Sequence, residues 1–246
     1  MHKAAGLGFV AVSLVAVSVC ACGRQVTPNP PGLGAGGAPP GYVALSFQVA
    51  QPFNFSNYEY MFVFNTSGTN VTPSTDTVQT NWAGYRIALI ARGNAGASSG
   101  EVVQFVPPRA GKGPPGWLPL QTTPQQFSYN PNSNGVGTEF SMLVQKSVLR
   151  GYSPSPSPSS SPTPTPPSLW TFNAFSAGNG ASQGQWTFAD SLGFGGPIDP
   201  QFVSPRLCFT EPFESTTTGQ YTQGDPTAQI VSVVVANNPP SPTPCP

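Results

Sequence analysis

After residue 41, apolar and polar positions alternate with a period of two through much of the chain, the pattern of strands that bury one face. In Tyr42 to Val49, the residues Val43, Leu45, Phe47 and Val49 fall on one side and smaller or polar residues on the other. The run Tyr58-Glu59-Tyr60-Met61-Phe62-Val63-Phe64 differs. It sets Tyr58, Tyr60, Phe62 and Phe64 on one face and Met61 with Val63 on the other, which predicts a central strand covered on both sides. Turn-forming Asn65-Thr66-Ser67-Gly68-Thr69-Asn70 ends it. Further strands are predicted over 84–92, 101–106, 125–129, 138–149, 169–175, 185–188 and 228–236, each bounded by Gly, Pro or Asn clusters. With no convincing helical period, the expected fold is all-β, an antiparallel β-sandwich of immunoglobulin-like or related type.

Residues 153–168 read SPSPSPSSSPTPTPPS, a low-complexity, extended and solvated composition. The piece beyond it offers three strands and a Gly/Pro-rich middle, thin for an independent core. Loop closure costs only about 0.6 kcal/mol for each doubling of length, so one sandwich tolerates such an insertion. The expected organisation is a single domain over 42–236 with a disordered insertion at 153–168, followed by a Pro-rich tail over 237–246.

Composition adds to this picture. Charged residues make up 7% of the chain, where about a quarter is usual, and 31 Pro and 27 Gly help fill the gap. Aromatics at 11% and zero net charge favour a folded body over general disorder. Nine basic against nine acidic residues give no overall basic field for nucleic acid and no acidic one for cations, so electrostatic steering is not expected.

The first residues, MHKAAGLGFVAVSLVAVSVCAC, have a basic start, an apolar stretch from Ala4 to Val19 and small residues at the exit, the three parts of a secretory signal. Gly6, Gly8, Ser13 and Ser18 interrupt that stretch, which falls short of the roughly 20 apolar residues of a membrane span. Val19-Cys20-Ala21-Cys22 resembles the cleavage box of bacterial lipoproteins, with Cys20 standing at a position where that family has a small residue. The resemblance implies a signal peptide over 1–21 and lipid attachment at Cys22, whose thiol receives diacylglycerol and whose freed amine is acylated. Two or more chains hold a protein on a bilayer nearly permanently. Residues 22–41 are then a Gly/Pro tether with an end-to-end distance on the order of 25 Å. The resemblance covers only these first residues and implies a membrane partner, not a fold.

Candidate chemistry in the body is sparse. The one histidine, His2, lies in the leader, so the expected mature chain has no imidazole for a nucleophile pair or a metal site. Carboxylates suffice for glycoside hydrolysis, and Glu211 with Glu214 in Glu211-Pro212-Phe213-Glu214 are candidates, solvated loop charges being the plainer alternative. In Ala189 to Pro200, the carboxylates of Asp190 and Asp199 are candidate calcium ligands beside Ser191 and glycine carbonyls, without the dense spacing of a calcium loop. The alternative has both aspartates accepting from backbone amides in turns. No other cofactor is indicated. Cys208 and Cys245 are a candidate disulfide in an exported protein.

The tryptophans Trp82, Trp117, Trp170 and Trp186, with Tyr42, Tyr58 and Tyr60, raise a sugar-stacking platform against the commoner role of core filling. Trp117, in a Gly/Pro-rich stretch expected to be a loop, is the candidate exposed binder, or else a cap on the sandwich end. Arg86 and Arg92 flank a strand and are expected to face solvent. The functional expectation is a non-enzymatic surface lipoprotein with an envelope or adhesive, ligand-binding role, a glycan being one candidate partner. The alternatives are a surface hydrolase working through Glu211, Glu214 or Asp190, and a purely structural lipoprotein.

Overall fold

The computed structural model describes residues 38–94, 97–107, 115–131, 137–150, 170–178, 186–193, 196–198, 206–210 and 224–236. Residues 1–37 with Cys22, the insertion 153–168, Asp199, Glu211, Glu214 and the tail with Cys245 lie outside them.

The alternating runs become strands β1 (Tyr42–Val49), β2 (Tyr58–Asn65), β3 (Ile87–Asn94), β4 (Ala97–Val106), β6 (Phe127–Asn130), β7 (Glu139–Gln145), β8 (Trp170–Gly178), β9 (Thr187–Ser191) and β12 (Ile230–Ala236). Three short strands join them: β5 (Gly116–Pro119), β10 (Gly196–Ile198) and β11 (Arg206–Thr210). Two short helices, α1 (Thr75–Gln79) and α2 (Lys146–Leu149), complete the described elements.

All the strand pairings among the described residues are antiparallel. A five-stranded sheet runs β11-β12-β1-β7-β6, and a seven-stranded sheet runs β10-β8-β2-β3-β4-β5 with β9 also on β8. β12 pairs with β1, and β8 with β2, so strands after 153–168 are hydrogen-bonded to the first two strands of the chain.

The inner faces of the two sheets share one hydrophobic cluster. Val43, Leu45, Phe47 and Val49 of β1 meet Tyr60, Phe62 and Phe64 of β2, with Phe140, Met142 and Val144 of β7 and Val233 and Val235 of β12. At its centre Phe47 stacks on Phe140, ring centroids 5.2 Å apart, and takes the edges of Tyr60 and Phe62 at 5.7 and 5.6 Å. Gly100 of β4 sets how closely β6 approaches the other sheet: a Cβ there would lie 2.6 Å from the Cβ of Tyr129.

The seven-stranded sheet has a second covered face. Met61 and Val63 of β2, Ala88 and Ile90 of β3, Val103 and Phe105 of β4 and Phe175 of β8 pack there beneath Trp82, Tyr85, Trp117 and Trp186. The connection from β2 to β3 supplies part of the cover, and buried polar side chains pin it down. Asn65 donates to the carbonyls of Thr69 and Val71, Thr171 donates to Val71, and Asn173 donates to Pro73 at 2.8 Å. In the same connection Ser74 and Thr77 form the reciprocal capping box that starts α1.

Two departures from expectation have local causes. The strand expected over 138–149 stops at Gln145, because its partner β1 begins at Tyr42, opposite Gln145. The next amide, Lys146 N, donates to Gly41 O at 2.9 Å and the chain turns into α2. The Gly116-Trp117-Leu118-Pro119 stretch is an edge strand on β4 rather than a loop, a position where proline's missing N–H is tolerated.

Gly100→Ala should destabilise the fold by about 1–3 kcal/mol through forced separation of β4 and β6. Gly116→Ala, whose added Cβ would meet nothing closer than 3.9 Å, should stay within about 0.5 kcal/mol of wild type. Urea denaturation of the two variants distinguishes these outcomes.

Candidate functional site: a shared arginine beside an aromatic layer

The outer face of the seven-stranded sheet carries a charged cluster drawn from three adjacent strands. Glu59 occupies β2, Arg92 β3 and Glu101 β4, with their side chains on the same side as Met61, Ile90 and Val103. Arg92 Nη1 lies 3.6 Å from Glu59 Oε1, and its Nη2 donates to Glu101 Oε1. The second oxygen of Glu59 accepts from the indole of Trp186 at 2.9 Å. Glu59 is only 3% exposed, so its charge depends on these partners in place of water.

One guanidinium thus serves two carboxylates. Burial raises the pKa of Glu101, Arg92 lowers it, and the neighbouring Glu59 charge raises it further; the balance lies above the usual carboxylate value. Arg86 is exposed as expected, whereas Arg92 is corrected from a solvent-facing residue to the centre of a half-buried ion-pair cluster. The sequence signal for the cluster is Glu59 itself. A charge near the start of a strand apolar on both faces requires a cation, but its partner lies on a different strand.

Beside the cluster lies a layer of rings. Trp117 is 4.7 Å from Trp186 and 5.0 Å from Phe105 between centroids, and Trp82 meets Tyr85 at 4.9 Å. Trp117 is 4% exposed, which corrects its placement as an exposed loop binder: pairing of β5 with β4 turns its ring onto the sheet. Among the described residues its Nε1–H finds no hydrogen-bond partner. Trp82, Trp170, Trp186, Tyr58 and Tyr60 are also buried, the core-filling alternative. Asn81 and Trp82 have φ of 66° and 59°, a left-handed conformation costing roughly 1–2 kcal/mol per residue. Burying an indole of about 150–250 Å² contributes about 4–6 kcal/mol as an upper bound, enough to hold Trp82 in this conformation.

Asp190, the candidate calcium ligand, is buried on β9. Its Oδ1 accepts from Ser191 N at 2.8 Å and its Oδ2 from Ile230 N at 2.7 Å. Since Ile230 begins β12, this carboxylate ties the two sheets together by accepting from backbone amides. Ser176 Oγ adds a second tie to the Ala228 carbonyl at 2.5 Å. Close by, Asp225 accepts from the amide and hydroxyl of Thr227, which lowers its pKa, and Tyr60 donates to Thr227 O at 2.8 Å. Burial pushes the Tyr60 phenol well above its ordinary range. Cys208 stands opposite Val234 in the β11–β12 register; its candidate partner Cys245 lies outside the described residues. Among the described residues no three His, Cys, Asp or Glu side chains are grouped to hold a metal ion, and no helix is long and apolar enough to cross a membrane.

Compared with protein-family models, curated proteins and solved structures, the chain gives no match.

Arg92→Met should cost about 3–5 kcal/mol by leaving Glu59 buried without its cation, and adding Glu59→Gln should recover much of that loss. Glu101→Gln should be close to neutral at low pH. A raised pKa means that the folded state binds the Glu101 proton more tightly, so this group's contribution favours folding below the unfolded carboxylate's pKa and is lost as pH rises through the folded value. The stability of Glu101→Gln relative to wild type should therefore rise from about pH 4 toward neutrality. Denaturant titrations across that range test the sign; a falling difference would contradict it.

Proposed function

We propose that this protein is an exported, lipid-anchored surface module whose two sheets pack as a β-sandwich and which acts at the cell envelope without catalysing a reaction. The observation that carries the non-enzymatic part is the use made of five of the six described carboxylates, Asp76 being exposed and Asp199, Glu211 and Glu214 lying outside the described residues. Glu59 and Glu101 share Arg92, Glu139 accepts from Ser46 at 2.7 Å, Asp190 joins the sheets, and Asp225 closes a turn. These acids hold the fold together, and a group so engaged is a poor nucleophile or proton donor toward substrate. The sandwich assignment is supported by the cluster that both sheets contribute to. Sheets of five and seven strands lend no support to an immunoglobulin topology, which has seven or nine strands in all.

The anchor and the export rest on the leader and on Val19-Cys20-Ala21-Cys22. A glycan platform built on exposed tryptophans loses its support, because the described indoles are interior. An envelope role then falls to the surface as a whole, held near the bilayer by its lipid.

Mass spectrometry of the protein purified from membranes should show a chain beginning at Cys22 and bearing diacylglycerol on its thiol. A free thiol, or a cut elsewhere, refutes the anchor. Hydrolysis of any member of a polysaccharide panel, abolished by Glu211→Gln or Glu214→Gln, would refute the non-enzymatic reading.

A further inference from the structure

Balanced net charge hides an uneven distribution. β1 begins at Tyr42 opposite Gln145, and Ala44 lies opposite Ala236, which is also the partner of Arg206. Lys146 follows at once, bonded to Gly41, and Arg150 is an exposed residue closing α2. In the other sheet the same end holds exposed Arg86, whose amide donates to Phe64 O. The shared orientation of the sheets is fixed at the opposite end, where Tyr60 of β2 bonds to Thr227 just before β12 and Asp190 bonds to Ile230. β2 runs from there toward Phe64 and Asn65.

That opposite end carries Glu59, Glu101, Glu139, Asp190 and Asp225, with Arg92 already engaged by two of them. Among the described residues the end at which the chain enters β1 therefore collects Arg86, Lys146 and Arg150, against Asp76 in the β2–β3 connection. The acidic end faces away from it. Such a separation orients a molecule in the field of a charged surface even at zero net charge.

We propose that the end carrying Arg86, Lys146 and Arg150 docks on anionic phospholipid headgroups. The partner follows from place as well as sign. This proposal rests on the lipid-anchored reading above, in which the residues preceding Gly41 lead back to acylated Cys22, so the basic end is the one from which the tether leaves the body. Docking presents the acidic end outward and converts a loose tether into a defined orientation.

The test uses the full chain carrying Cys22→Ser, which removes the acyl anchor, floated with phosphatidylcholine vesicles or with phosphatidylcholine vesicles containing 30 mole percent phosphatidylglycerol, roughly the anionic content that gives a strong surface potential. Binding should favour the anionic vesicles and weaken when salt is raised from about 0.05 to about 0.5 M, as screening shortens the range of the field. Each basic residue near the surface is worth about fivefold in binding, so Arg86→Gln with Arg150→Gln should lose about 25-fold on anionic vesicles. Both side chains are exposed, and thermal melting checks that the variant is folded. Glu139→Gln at the other end should leave binding within about twofold. Equal binding to both vesicles, or a double variant that floats like its parent, would overturn the proposal. Flotation of a peptide of residues 1–37 carrying the same Cys22→Ser change gives the leader's own binding to each vesicle, which is subtracted from that of every variant. An unacylated Cys22 in the native protein would defeat the anchor while leaving this vesicle result to stand separately.

Discussion

Burial of β2 on both faces is the constraint from which the rest of the structure follows. Each residue from Tyr58 to Asn65 is buried, so the strand needs β3 and β8 on its edges, the five-stranded sheet over its aromatic face and a separate cover over Met61 and Val63. A strand this apolar left open on one side would expose a large patch inviting association. The β2–β3 connection, Trp117 and Trp186 provide that cover, and Asn65, Thr171 and Asn173 hold its carbonyls by hydrogen bonds. Polar side chains on the outer face thus serve a hydrophobic purpose.

Glu59 is the exception within that strand, and its surroundings show what a buried charge demands. Arg92 alone would neutralise it, yet Arg92 also holds Glu101, and the Trp186 indole takes the remaining Glu59 oxygen. The cluster therefore links the edge of the aromatic layer to the middle of the sheet. A buried ion pair is weak evidence for added stability, since desolvation offsets much of its attraction. What it does is penalise any arrangement in which β2, β3, β4 and the segment at Trp186 fail to meet together.

The same economy of charge explains why electrostatics looked featureless along the chain. With so few ionisable residues, net charge says little about distribution, and strand direction decides at which end of the molecule each one emerges. Arg86 and Arg92 are six residues apart and sit toward opposite ends of β3, one exposed and one enclosed by carboxylates. Reversal of the chain at each strand sorts the described basic residues largely to one end and acidic ones to the other.

The sequence by itself determined the main strands and the faces of β1 and β2, because side-chain alternation is a property of the extended backbone and burial of Val43, Leu45, Phe47 and Val49 follows from it whatever lies opposite. It also marked Asn65 to Asn70 as a turn and left Asp190 between two roles, a cation ligand or an acceptor from backbone amides. Only the tertiary structure decided which partner each polar group took. Trp186 and Glu59 are 127 positions apart, and Asp190 and Ile230 are 40 apart, so their meeting depends on strand order and on both sheets closing over one core. Trp117 departs from its local signal for a related reason: glycine and proline around it favour a loop, whereas pairing with the edge of β4 makes it a strand and turns its indole inward. Period and turn chemistry act over a few residues; pairing, burial of charge and the sorting of ends are properties of the assembled sheets.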